Sequence, residues 1–502
     1  MKEIQSGHNV AAHLLAPNLQ RHPGKTAYLC GDEQVSYQAL ADGACRFATL
    51  LRQHGIGPGD RVLLALFDSP VFVAAFFGTV LVGGVAVPVG TALAGELYRQ
   101  ILDDCGARLI LVSPAVAGVA GFPRDRVPVI ECGERLAAAL PDVPAAPFAP
   151  RPVASGDLAF MLYTSGSTGT PKGVPHCHAD LPEVAERYAV QVLGMRADDI
   201  VFSASKLNFA YGLGNSLAFP LHVGATALLH AGPPLPEQLL PLMERHRPTL
   251  FFSVPTVYAQ IIRSVTQERL ALPMRFAVSA GEALPVAVLE EWRRLTGMEL
   301  IDGIGSTEMA HIFISNRPGD VVPGSAGTPV PGYEIRLVDD SDCDMPSGEP
   351  GHLLVRGPGA APYYWNRPEL SERTMRPDGF VRTGDLFVEQ DGRYFHKGRS
   401  DDMMKVGGQW VSPVQIEEAF RHHPAIADCA AAACRVGGLE RPALHLVLQP
   451  GQAFDPRFEK ELRAYAAARL PDYMRPMRYL AVGELPRNAT GKVQRFKLRQ
   501  SP

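Results

Sequence analysis

A loop rich in glycine and hydroxyl side chains is the first segment of this sequence whose residue types could do chemistry. It covers residues 164–173, reads TSGSTGTPKG and follows an apolar stretch at residues 158–163. Glycines let the backbone approach phosphate oxygens closely, hydroxyls donate further hydrogen bonds, and Lys172 supplies positive charge. The loop therefore predicts a site for the phosphates of ATP. It differs from the G-x-x-x-x-G-K-[ST] loop, because Gly173 follows Lys172.

Carboxylates elsewhere in the chain suit a nucleotide and its metal. Glu308, beside Thr307, is the kind of ligand that Mg²⁺ takes together with substrate oxygens. Asp385 ends a Thr-Gly-Asp turn, where an acceptor-only carboxylate suits a pair of ribose hydroxyls; an ordinary Asx-turn residue is the alternative. Lys492 lies in a glycine-containing turn among basic residues, and its charge alone is equally typical of a surface lysine.

These motifs resemble those of the adenylate-forming superfamily, which includes acyl- and aryl-CoA synthetases, amino-acid adenylation domains and luciferases. After the phosphate loop, the same order holds for residues 303–308 (GIGSTE), 383–385 (TGD), 398–402 (GRSDD) and 486–492 (PRNATGK). The five matches span nearly the whole chain. The resemblance implies ATP, Mg²⁺ and coenzyme A as cofactor and cosubstrates, and a carboxylic acid as the group that is activated.

The resemblance also implies roles for individual residues. The expected catalytic residues are Lys492, Glu308 and Thr307, with Glu308 as the metal ligand. An ammonium at position 492 would stabilise charge that builds on the carboxylate and on pyrophosphate mainly in the transition state. The expected nucleotide-binding residues are Thr164, Ser165, Gly166, Ser167, Thr168, Gly169, Lys172, Gly281, Glu282, Asp302, Gly303, Ile304, Asp385 and Arg399. Asp401 is the expected hinge, and the expected coenzyme A channel contains Gly407, Gly408 and Trp410, although a core tryptophan is an equal alternative.

Residues 206–215 (KLNFAYGLGN) and 307–316 (TEMAHIFISN) resemble benzoate-CoA ligases in particular. They imply a flat apolar slot for an aromatic acid, with His311 near the carboxylate; core packing is the alternative for each aromatic residue. The expected acid-binding residues are Phe209, Ala210, Tyr211, Gly212, Ala280, Gly305, His311 and Ile312. Asn208 and Ala310 depart from close benzoate-activating relatives, in which an aromatic and a larger aliphatic are common. The acid is therefore expected to be benzoate or a hydroxy-, amino- or methylbenzoate.

Bulk properties predict a cytoplasmic enzyme with neither a nucleic-acid nor a membrane partner, and leave a homodimer open. The 502 residues carry 48 basic and 52 acidic side chains, which gives a net charge of −4. This balance does not indicate a basic surface that would bind nucleic acid or another polyanion. The apolar stretch at residues 71–87 is shorter than the roughly 20 residues of a spanning helix. Eight cysteines without CxxC spacing indicate reduced thiols, and the His176-Cys177-His178 run lacks further ligands for zinc.

The fold class is predicted to be α/β. Continuous apolar runs at residues 61–66, 85–89 and 109–112 alternate with helical patterns, which is typical of parallel sheets covered on both faces. We expect a large N-terminal domain over residues 1–400, whose last part from about 320 is a small β unit rich in Gly, Pro and Asp. A small mobile α+β C-terminal domain over residues 401–502, with a helix at 413–422, then carries Lys492.

Together these features predict an AMP-forming aryl-CoA ligase. The short stretch after Lys492 leaves no room for a carrier domain, which favours free coenzyme A as the acyl acceptor. One alternative is a stand-alone aryl-acid adenylating enzyme that loads a separate carrier protein. Another is a non-catalytic binding protein of the same fold, which loss of Lys492 or Glu308 would favour; both residues are present.

Overall fold

Strands and helices alternate along most of the chain. The computed structural model describes residues 9–140, 142–165, 171–406, 409–421, 423–436, 439–487 and 493–499. In these ranges the α-helices are α1 Val10–Arg21, α2 Tyr37–Gln53, α3 Pro70–Leu81, α4 Gly95–Cys105, α5 Pro114–Ala117, α6 Leu136–Ala139, α7 Asp180–Val184, α8 Ala210–Leu213, α9 Phe219–Val223, α10 Pro236–His246, α11 Pro255–Ser264, α12 Val286–Thr296, α13 Pro368–Thr374, α14 Pro413–Phe420, α15 Pro456–Ala467 and α16 Arg495–Leu498. Two π-helical segments, Ala185–Val190 and Gly214–Ala218, and three 3₁₀ turns, Thr307–Met309, Ser400–Asp402 and Asp472–Met474, accompany them.

The strands are β1 Thr26–Cys30, β2 Glu33–Ser36, β3 Arg61–Ala65, β4 Val85–Pro88, β5 Leu109–Val112, β6 Val129–Glu131, β7 Leu158–Ser165, β8 Pro171–Cys177, β9 Ile200–Ser203, β10 Thr226–Leu229, β11 Leu250–Ser253, β12 Phe276–Ser279, β13 Leu300–Gly305, β14 Ile312–Ser315, β15 Thr328–Pro329, β16 Glu334–Val338, β17 Pro350–Arg356, β18 Val381–Gln390, β19 Arg393–Arg399, β20 Met404–Val406, β21 Gln409–Val411, β22 Ile426–Val436, β23 Leu439–Leu448 and β24 Arg478–Ala481. The chain divides into two compact units. The larger comprises the described residues of Met1–Gly166, Pro171–Ile335 and Val355–Arg382, and the smaller those of Arg336–Leu354 and Thr383–Pro502. The boundary at residue 400 and the hinge at Asp401 remain predictions.

Two sheets built around parallel strands form the larger unit. The six-stranded sheet has the order β6-β5-β3-β4-β7-β8, and only its edge strand β8 runs antiparallel to its neighbour. The nine-stranded sheet has the order β15-β14-β13-β12-β11-β9-β10-β1-β2, with parallel pairing from β13 through β1. The strands β3, β4 and β5 are buried along nearly their whole length, which explains their continuous apolar sequences.

The apolar stretch near residue 71 forms α3, whose twelve residues are all buried. The helix begins after Ser69, whose hydroxyl accepts a hydrogen bond from the backbone N–H of Phe72 at 3.4 Å, and Pro70 occupies the first helical position. A helix that is apolar on every face belongs in a protein core or a membrane. No helix within the described ranges is both long enough and apolar enough to cross a membrane.

The smaller unit combines short sheets with three helices. Its three-stranded sheet has the order β22-β23-β24, with an antiparallel first pair and a parallel second pair, and β20 and β21 form a hairpin. The predicted helix at residues 413–422 is α14, which packs Ile416 and Phe420 into the core beneath this sheet. Strands β16 to β19, most of whose residues belong to this unit, form a four-stranded sheet in which β18 and β19 are antiparallel.

Candidate functional site

The predicted phosphate loop joins the two strands of a β-hairpin in the larger unit. Thr164 on β7 pairs with Lys172 on β8, and Ser165 pairs with Pro171 one step closer to the loop. The remaining predicted phosphate-binding residues, Gly166, Ser167, Thr168 and Gly169, lie outside the described residues. The pairing places Thr164 beside Lys172 at the base of the loop, so both ends of the loop start from fixed positions.

Thr307 and Glu308 lie in a second hairpin, formed by β13 and β14. They occupy the 3₁₀ turn Thr307–Met309, which ends at Ala310. Ala310 is buried and has a φ of +60°, a left-handed conformation that residues with a side chain rarely adopt. The backbone thus supplies a reason for a small residue at position 310 that is independent of pocket size.

His176 holds this turn from the neighbouring sheet. Its ring is fully buried, with Nε2 2.8 Å from the carbonyl oxygen of Thr307 and Nδ1 3.1 Å from the carboxylate of Asp180. Both ring nitrogens therefore face oxygen acceptors, and Asp180 also accepts the backbone N–H of Cys177 at 2.9 Å. Since buried polar groups that lose a partner are costly, His176 fixes the turn that carries Glu308.

The carboxylate of Glu308 and the ammonium of Lys172 both contact the side chain of Tyr364. The phenol of Tyr364 donates a hydrogen bond of 2.6 Å to Glu308 Oε1, and Lys172 Nζ lies 4.8 Å from the centroid of the same ring. Among the described side chains, no group of three or more His, Cys, Asp or Glu residues could hold a metal ion without substrate. Mg²⁺ in proteins is usually held by one or two carboxylates together with substrate phosphates and water, and Glu308 is the carboxylate predicted for that role.

The predicted acid pocket lies at the carboxyl ends of parallel strands. Ser253 and Ser279 end β11 and β12 and are in register, and Ser279 pairs with Asp302, where the parallel pairing of β12 with β13 ends. This is the edge at which α/β sheets usually bind ligands. Removal from water raises the pKa of Asp302 well above its usual range. Ala280 directly follows β12, and Gly303 is the residue of β13 after Asp302. The predicted nucleotide- and acid-binding residues of this edge are thus brought together within one unit.

The helix α8 supplies Tyr211 to this edge, and the π-helical segment Gly214–Ala218 follows that helix. Tyr211 donates its phenol to the carbonyl oxygen of Val278 at 3.1 Å, so its ring is anchored to β12. A Cβ on Gly212 would lie 2.1 Å from the carbonyl oxygen of Lys206, which requires glycine there. Phe209 precedes α8 with an extended backbone, and Ala210 is buried. π-Helical segments of this kind are frequent at functional sites.

His311 is enclosed by aromatic side chains. Its ring centroid lies 4.5 Å from that of Phe219, 5.4 Å from Tyr211 and 5.5 Å from Tyr188. A Cβ on Gly214 would approach His311 Cδ2 to 2.3 Å, so the ring occupies space that only glycine leaves free. The side chain of His311 is 2% exposed. The proximity of this ring to the acid carboxylate stays a prediction.

The hydrogen bonds of His311 indicate its tautomer. Nε2 lies 3.1 Å from Asn215 Oδ1 and 3.3 Å from the carbonyl oxygen of Tyr211, two acceptors that require a proton on Nε2. No described residue offers a partner to Nδ1, which is shielded from solvent. Burial lowers the pKa of His311 to about 3, against the opposing effect of the Tyr211 carbonyl. The imidazole is therefore neutral near pH 7.

Replacing His311 by Gln is expected to make the protein less sensitive to acid. The folded-state pKa of about 3 lies below the ordinary value of 6.5, so as pH falls below 6.5 the unfolded chain takes up a proton that the folded chain does not. The free energy of unfolding then falls by up to about 1.4 kcal/mol per pH unit until the folded-state pKa is reached. Urea unfolding at several pH values between about 4 and 6.5 should give a shallower slope for His311→Gln than for the wild type. An unchanged slope would contradict the burial argument, and His54→Gln, at an exposed position, is the matched control.

In the smaller unit, Asp385, predicted to bind the ribose, and Arg399, also predicted to bind the nucleotide, are cross-strand partners. Asp385 on β18 pairs with Arg399 on β19. Arg399 Nη1 lies 3.2 and 3.3 Å from the two oxygens of Asp385 and 3.0 Å from the carbonyl oxygen of Thr383. His396 Nε2 is 3.5 Å from the same carboxylate. The carboxylate is thus oriented by a guanidinium within the sheet.

The predicted hinge residue Asp401 lies in the 3₁₀ turn Ser400–Asp402. Arg499 donates to the carbonyl oxygen of Asp401 at 2.6 Å, and both Arg499 and Arg495 approach the carboxylate of Asp402, at 3.2 and 3.4 Å. Of the other residues predicted for this unit, Lys492, Gly407 and Gly408 lie outside the described residues, and Trp410 belongs to β21. Within the smaller unit, the turn predicted as a hinge is therefore tied to the segment that follows Lys492.

Three residues of the site were not predicted from the sequence: His176, Tyr364 and Asn215. In the sequence, His176 stands out only through the His-Cys-His run, which lacks further ligands for zinc, and its observed contact is with Thr307, 131 residues away. Tyr364 lies in an aromatic run, Tyr363-Tyr364-Trp365, within a Gly- and Pro-rich stretch, and this is the signal that could have marked it. An aromatic cluster in a loop is more typical of an anchored segment than of a solvated one.

Two family matches cover most of the chain. Residues 15–365 match the AMP-binding enzyme family, and residues 415–492 match the C-terminal domain of AMP-binding enzymes. The chain belongs to the AMP-binding enzyme family. The superfamily resemblance predicted from the five motifs, and the α/β fold class, are confirmed. In this AMP-binding enzyme, the Glu308 turn and the phosphate hairpin lie inside the first family match. Asp401 lies between the two matches.

Relatives of this AMP-binding enzyme are similar over their full length. A benzoate–CoA ligase from Thauera aromatica is 40% identical, with 99% of this chain and 97% of that protein covered. A solved benzoate CoA ligase from Burkholderia xenovorans LB400 superposes with a TM-score of 0.89 at 39% identity, covering 98% and 100%. A solved anthranilate CoA ligase in complex with anthranoyl-AMP gives a TM-score of 0.90 at 37% identity, covering 98% and 96%.

Proposed function

We propose that this chain is an AMP-forming aryl-CoA ligase. It activates benzoate or a substituted benzoate with ATP, forming an acyl-adenylate and pyrophosphate, and then transfers the acyl group to coenzyme A with release of AMP. The observation that carries the adenylation half is the meeting of Lys172 and Glu308 at the ring of Tyr364. This arrangement sets a phosphate-binding cation beside a carboxylate suited to Mg²⁺.

The first step joins one oxygen of the acid to the α-phosphorus of ATP and breaks the bond from that phosphorus to pyrophosphate. Lys172 and the hydroxyl of Thr164 would hold phosphate oxygens at the base of the loop, and Asp385 with Arg399 would hold the ribose. Bound Mg²⁺ would share the negative charge of the phosphates. Lys492 would stabilise charge that develops on the attacking and leaving oxygens, which requires no covalent enzyme intermediate.

In the second step, the sulfur of coenzyme A attacks the acyl carbon, the thiol proton is lost, and the bond from that carbon to the AMP oxygen breaks. We assign this step to the same chain after rotation about Asp401, with Gly407 and Gly408 allowing the pantetheine arm to pass near the backbone. Relatives that are similar to this chain over nearly their full length are named as CoA ligases. These names support the proposal that coenzyme A is the acyl acceptor.

The proposal of an aromatic acid is supported by the composition of the predicted pocket. Tyr211 is anchored with its ring beside Phe252, at a centroid distance of 6.3 Å. Ala280, directly after β12, and Ile312, the first residue of β14, are buried apolar residues. Flat rings pack well against such aromatic and aliphatic surfaces. The relative solved with anthranoyl-AMP, an adenylate of an aromatic acid, is consistent with this substrate class.

A pyrophosphate-release assay with a panel of acids tests the proposal. With ATP and Mg²⁺ present, benzoate and hydroxy-, amino- and methylbenzoates are expected to support release, and short fatty acids are not. Adding free coenzyme A should then accelerate AMP release. Release that is equally fast with fatty acids would contradict the aryl specificity. Adenylation without any effect of coenzyme A would favour an enzyme that loads a carrier protein.

A further inference from the structure

One loop segment of the larger unit contacts both predicted charged groups of the adenylation site. This segment, residues 361–367, connects β17 towards α13. Its first residue, Ala361, donates its backbone N–H to the carbonyl oxygen of Glu308 at 2.7 Å. Four residues later, Trp365 donates its backbone N–H to the carbonyl oxygen of Gly173 at 2.9 Å. The 361–367 segment thus bridges the Glu308 turn and the phosphate hairpin by main-chain bonds.

Tyr364 adds a side-chain link between the same two places. Its side chain is 4% exposed, its hydroxyl donates to Glu308 Oε1 at 2.6 Å, and its ring faces Lys172 Nζ. A hydrogen bond to an ionised group is short and strong, and it restricts rotation of the carboxylate. The ring offers Lys172 a cation–π contact that favours one position of the ammonium. A single side chain therefore orients the predicted metal ligand and the predicted phosphate ligand together.

The end of α4 holds the 361–367 segment in place. Trp365 Nε1 and Asn366 Nδ2 both donate to the carbonyl oxygen of Asp104, at 3.0 and 2.9 Å. The carboxylate of Asp104 pairs with Arg367 at 3.0 Å and accepts the phenol of Tyr163 at 2.6 Å. Tyr163 directly precedes the paired base of the phosphate loop. Asp104 consequently fixes both the segment that carries Tyr364 and the strand that carries Thr164.

We propose that Tyr364 is a positioning residue for the metal site of this enzyme. It holds the Glu308 carboxylate in the orientation that binds Mg²⁺·ATP, and it sets Lys172 relative to that carboxylate, so that metal and phosphate ligands are assembled as one rigid unit. Hydrogen-bond partners of ligating carboxylates commonly influence metal affinity about 10- to 100-fold when they are removed. This inference rests on the proposed function, which supplies the nucleotide and the metal.

Metal binding to the Tyr364→Phe variant tests the hydrogen bond alone, because the ring beneath Lys172 is kept. Electron paramagnetic resonance can count free Mn²⁺, used in place of Mg²⁺, during titration of the protein with a non-cleavable ATP analogue. We expect about tenfold weaker Mn²⁺ binding in this ternary complex. The Michaelis constant for the aryl acid should stay unchanged, and the melting temperature should confirm a folded protein. Tyr363→Phe is the matched control, since Tyr363 is the neighbouring tyrosine and is 37% exposed.

Tyr364→Leu tests the second contact. This change removes both the hydroxyl and the ring, so binding of the ATP analogue without metal should weaken about two- to fivefold relative to Tyr364→Phe. Equal affinity of the two variants for the metal-free nucleotide would overturn the role of the ring. From the cation–π contact we expect the leucine variant to lose affinity for the metal-free nucleotide, and the phenylalanine variant to keep it.

A double-mutant cycle separates action through Glu308 from a general structural effect. If Tyr364 acts on the carboxylate, Tyr364→Phe should weaken Mn²⁺ binding in the wild-type background and have little further effect in a Glu308→Gln background. Additive losses, or titrations of wild type and Tyr364→Phe that superimpose, would overturn the assignment of Tyr364. A wild-type protein that binds no Mn²⁺·nucleotide and releases no pyrophosphate would instead overturn the proposed function, so the two failures are distinguishable.

Discussion

Replacing Lys492 by alanine is expected to slow acyl-adenylate formation about 10²–10³-fold, the usual effect of removing one charge-stabilising donor from a transition state. The carboxylate and the departing pyrophosphate both gain negative charge as the first step proceeds, and no other predicted site residue of the C-terminal segment carries an ammonium. Thioester formation from supplied benzoyl-adenylate should change little, since that step breaks a carbon–oxygen bond. Single-turnover rates of the two half-reactions measure this difference directly.

Lys497→Ala is the control for this experiment. Lys497 lies in α16, only a few residues beyond Lys492, and its loss removes the same charge from the same basic segment. We expect both half-reactions to proceed at nearly wild-type rates in this variant. If Lys492→Ala slows both half-reactions equally, the role assigned to Lys492 in the first step is wrong.

Replacing Arg495 by methionine is expected to lower the free energy of unfolding by about 3–5 kcal/mol, because it leaves a buried carboxylate without its countercharge. Arg495 Nη2 lies 2.8 and 2.9 Å from the two oxygens of Glu417, and the side chains are 16% and 9% exposed. Glu417 also accepts the backbone N–H of Ala431 at 2.8 Å, so it cannot turn towards solvent without breaking a second bond. Urea unfolding followed by a probe in the smaller unit measures the loss.

Two further variants identify the cause of that loss. In Arg495→Met combined with Glu417→Gln, the buried charge is gone while an acceptor for Ala431 remains, so at least half of the lost stability should return. Arg421→Met removes an arginine from the exposed pair with Glu418, whose side chains are 42% and 40% exposed, and should cost less than about 1 kcal/mol. A double variant as unstable as Arg495→Met would show that packing, and not the unpaired charge, is responsible.

Apolar runs and helical patterns in the sequence predicted several strands and one helix of the structure. The strand at residues 109–112 is β5 with the same bounds, and the runs at 61–66 and 85–89 are β3 and β4 within one residue, because strands buried on both faces need continuous apolar sequence. The helix expected at 413–422 forms as Pro413–Phe420. Ordered motifs also predicted a phosphate loop after the strand at residues 158–163 and a site role for Glu308. That each lies in an antiparallel hairpin was not predicted.

The links between motifs could not be predicted in this way. The hydrogen bond from Tyr364 to Glu308 joins residues 56 positions apart, and nothing in the local period or composition of either segment specifies the other. Tyr211 illustrates a different limit. Its sequence position marked it as a pocket wall, but its hydroxyl donates into β12, so one side chain serves both the predicted pocket and the sheet. Such dual roles depend on which elements pack against each other in the tertiary structure. The residues that neighbour Tyr211 in the sequence do not specify this packing.

The left-handed backbone at Ala310 also limits how this enzyme can evolve. Single base changes in an alanine codon lead to glycine, valine, threonine, serine, proline and an acidic residue. Valine and threonine are strained at a φ of +60°, and proline cannot adopt it at all, whereas glycine adopts it freely. Drift at this position should therefore run mainly towards glycine. Asn208, the other position at which this sequence departs from benzoate-activating relatives, has no such backbone constraint, so we expect it to vary more freely.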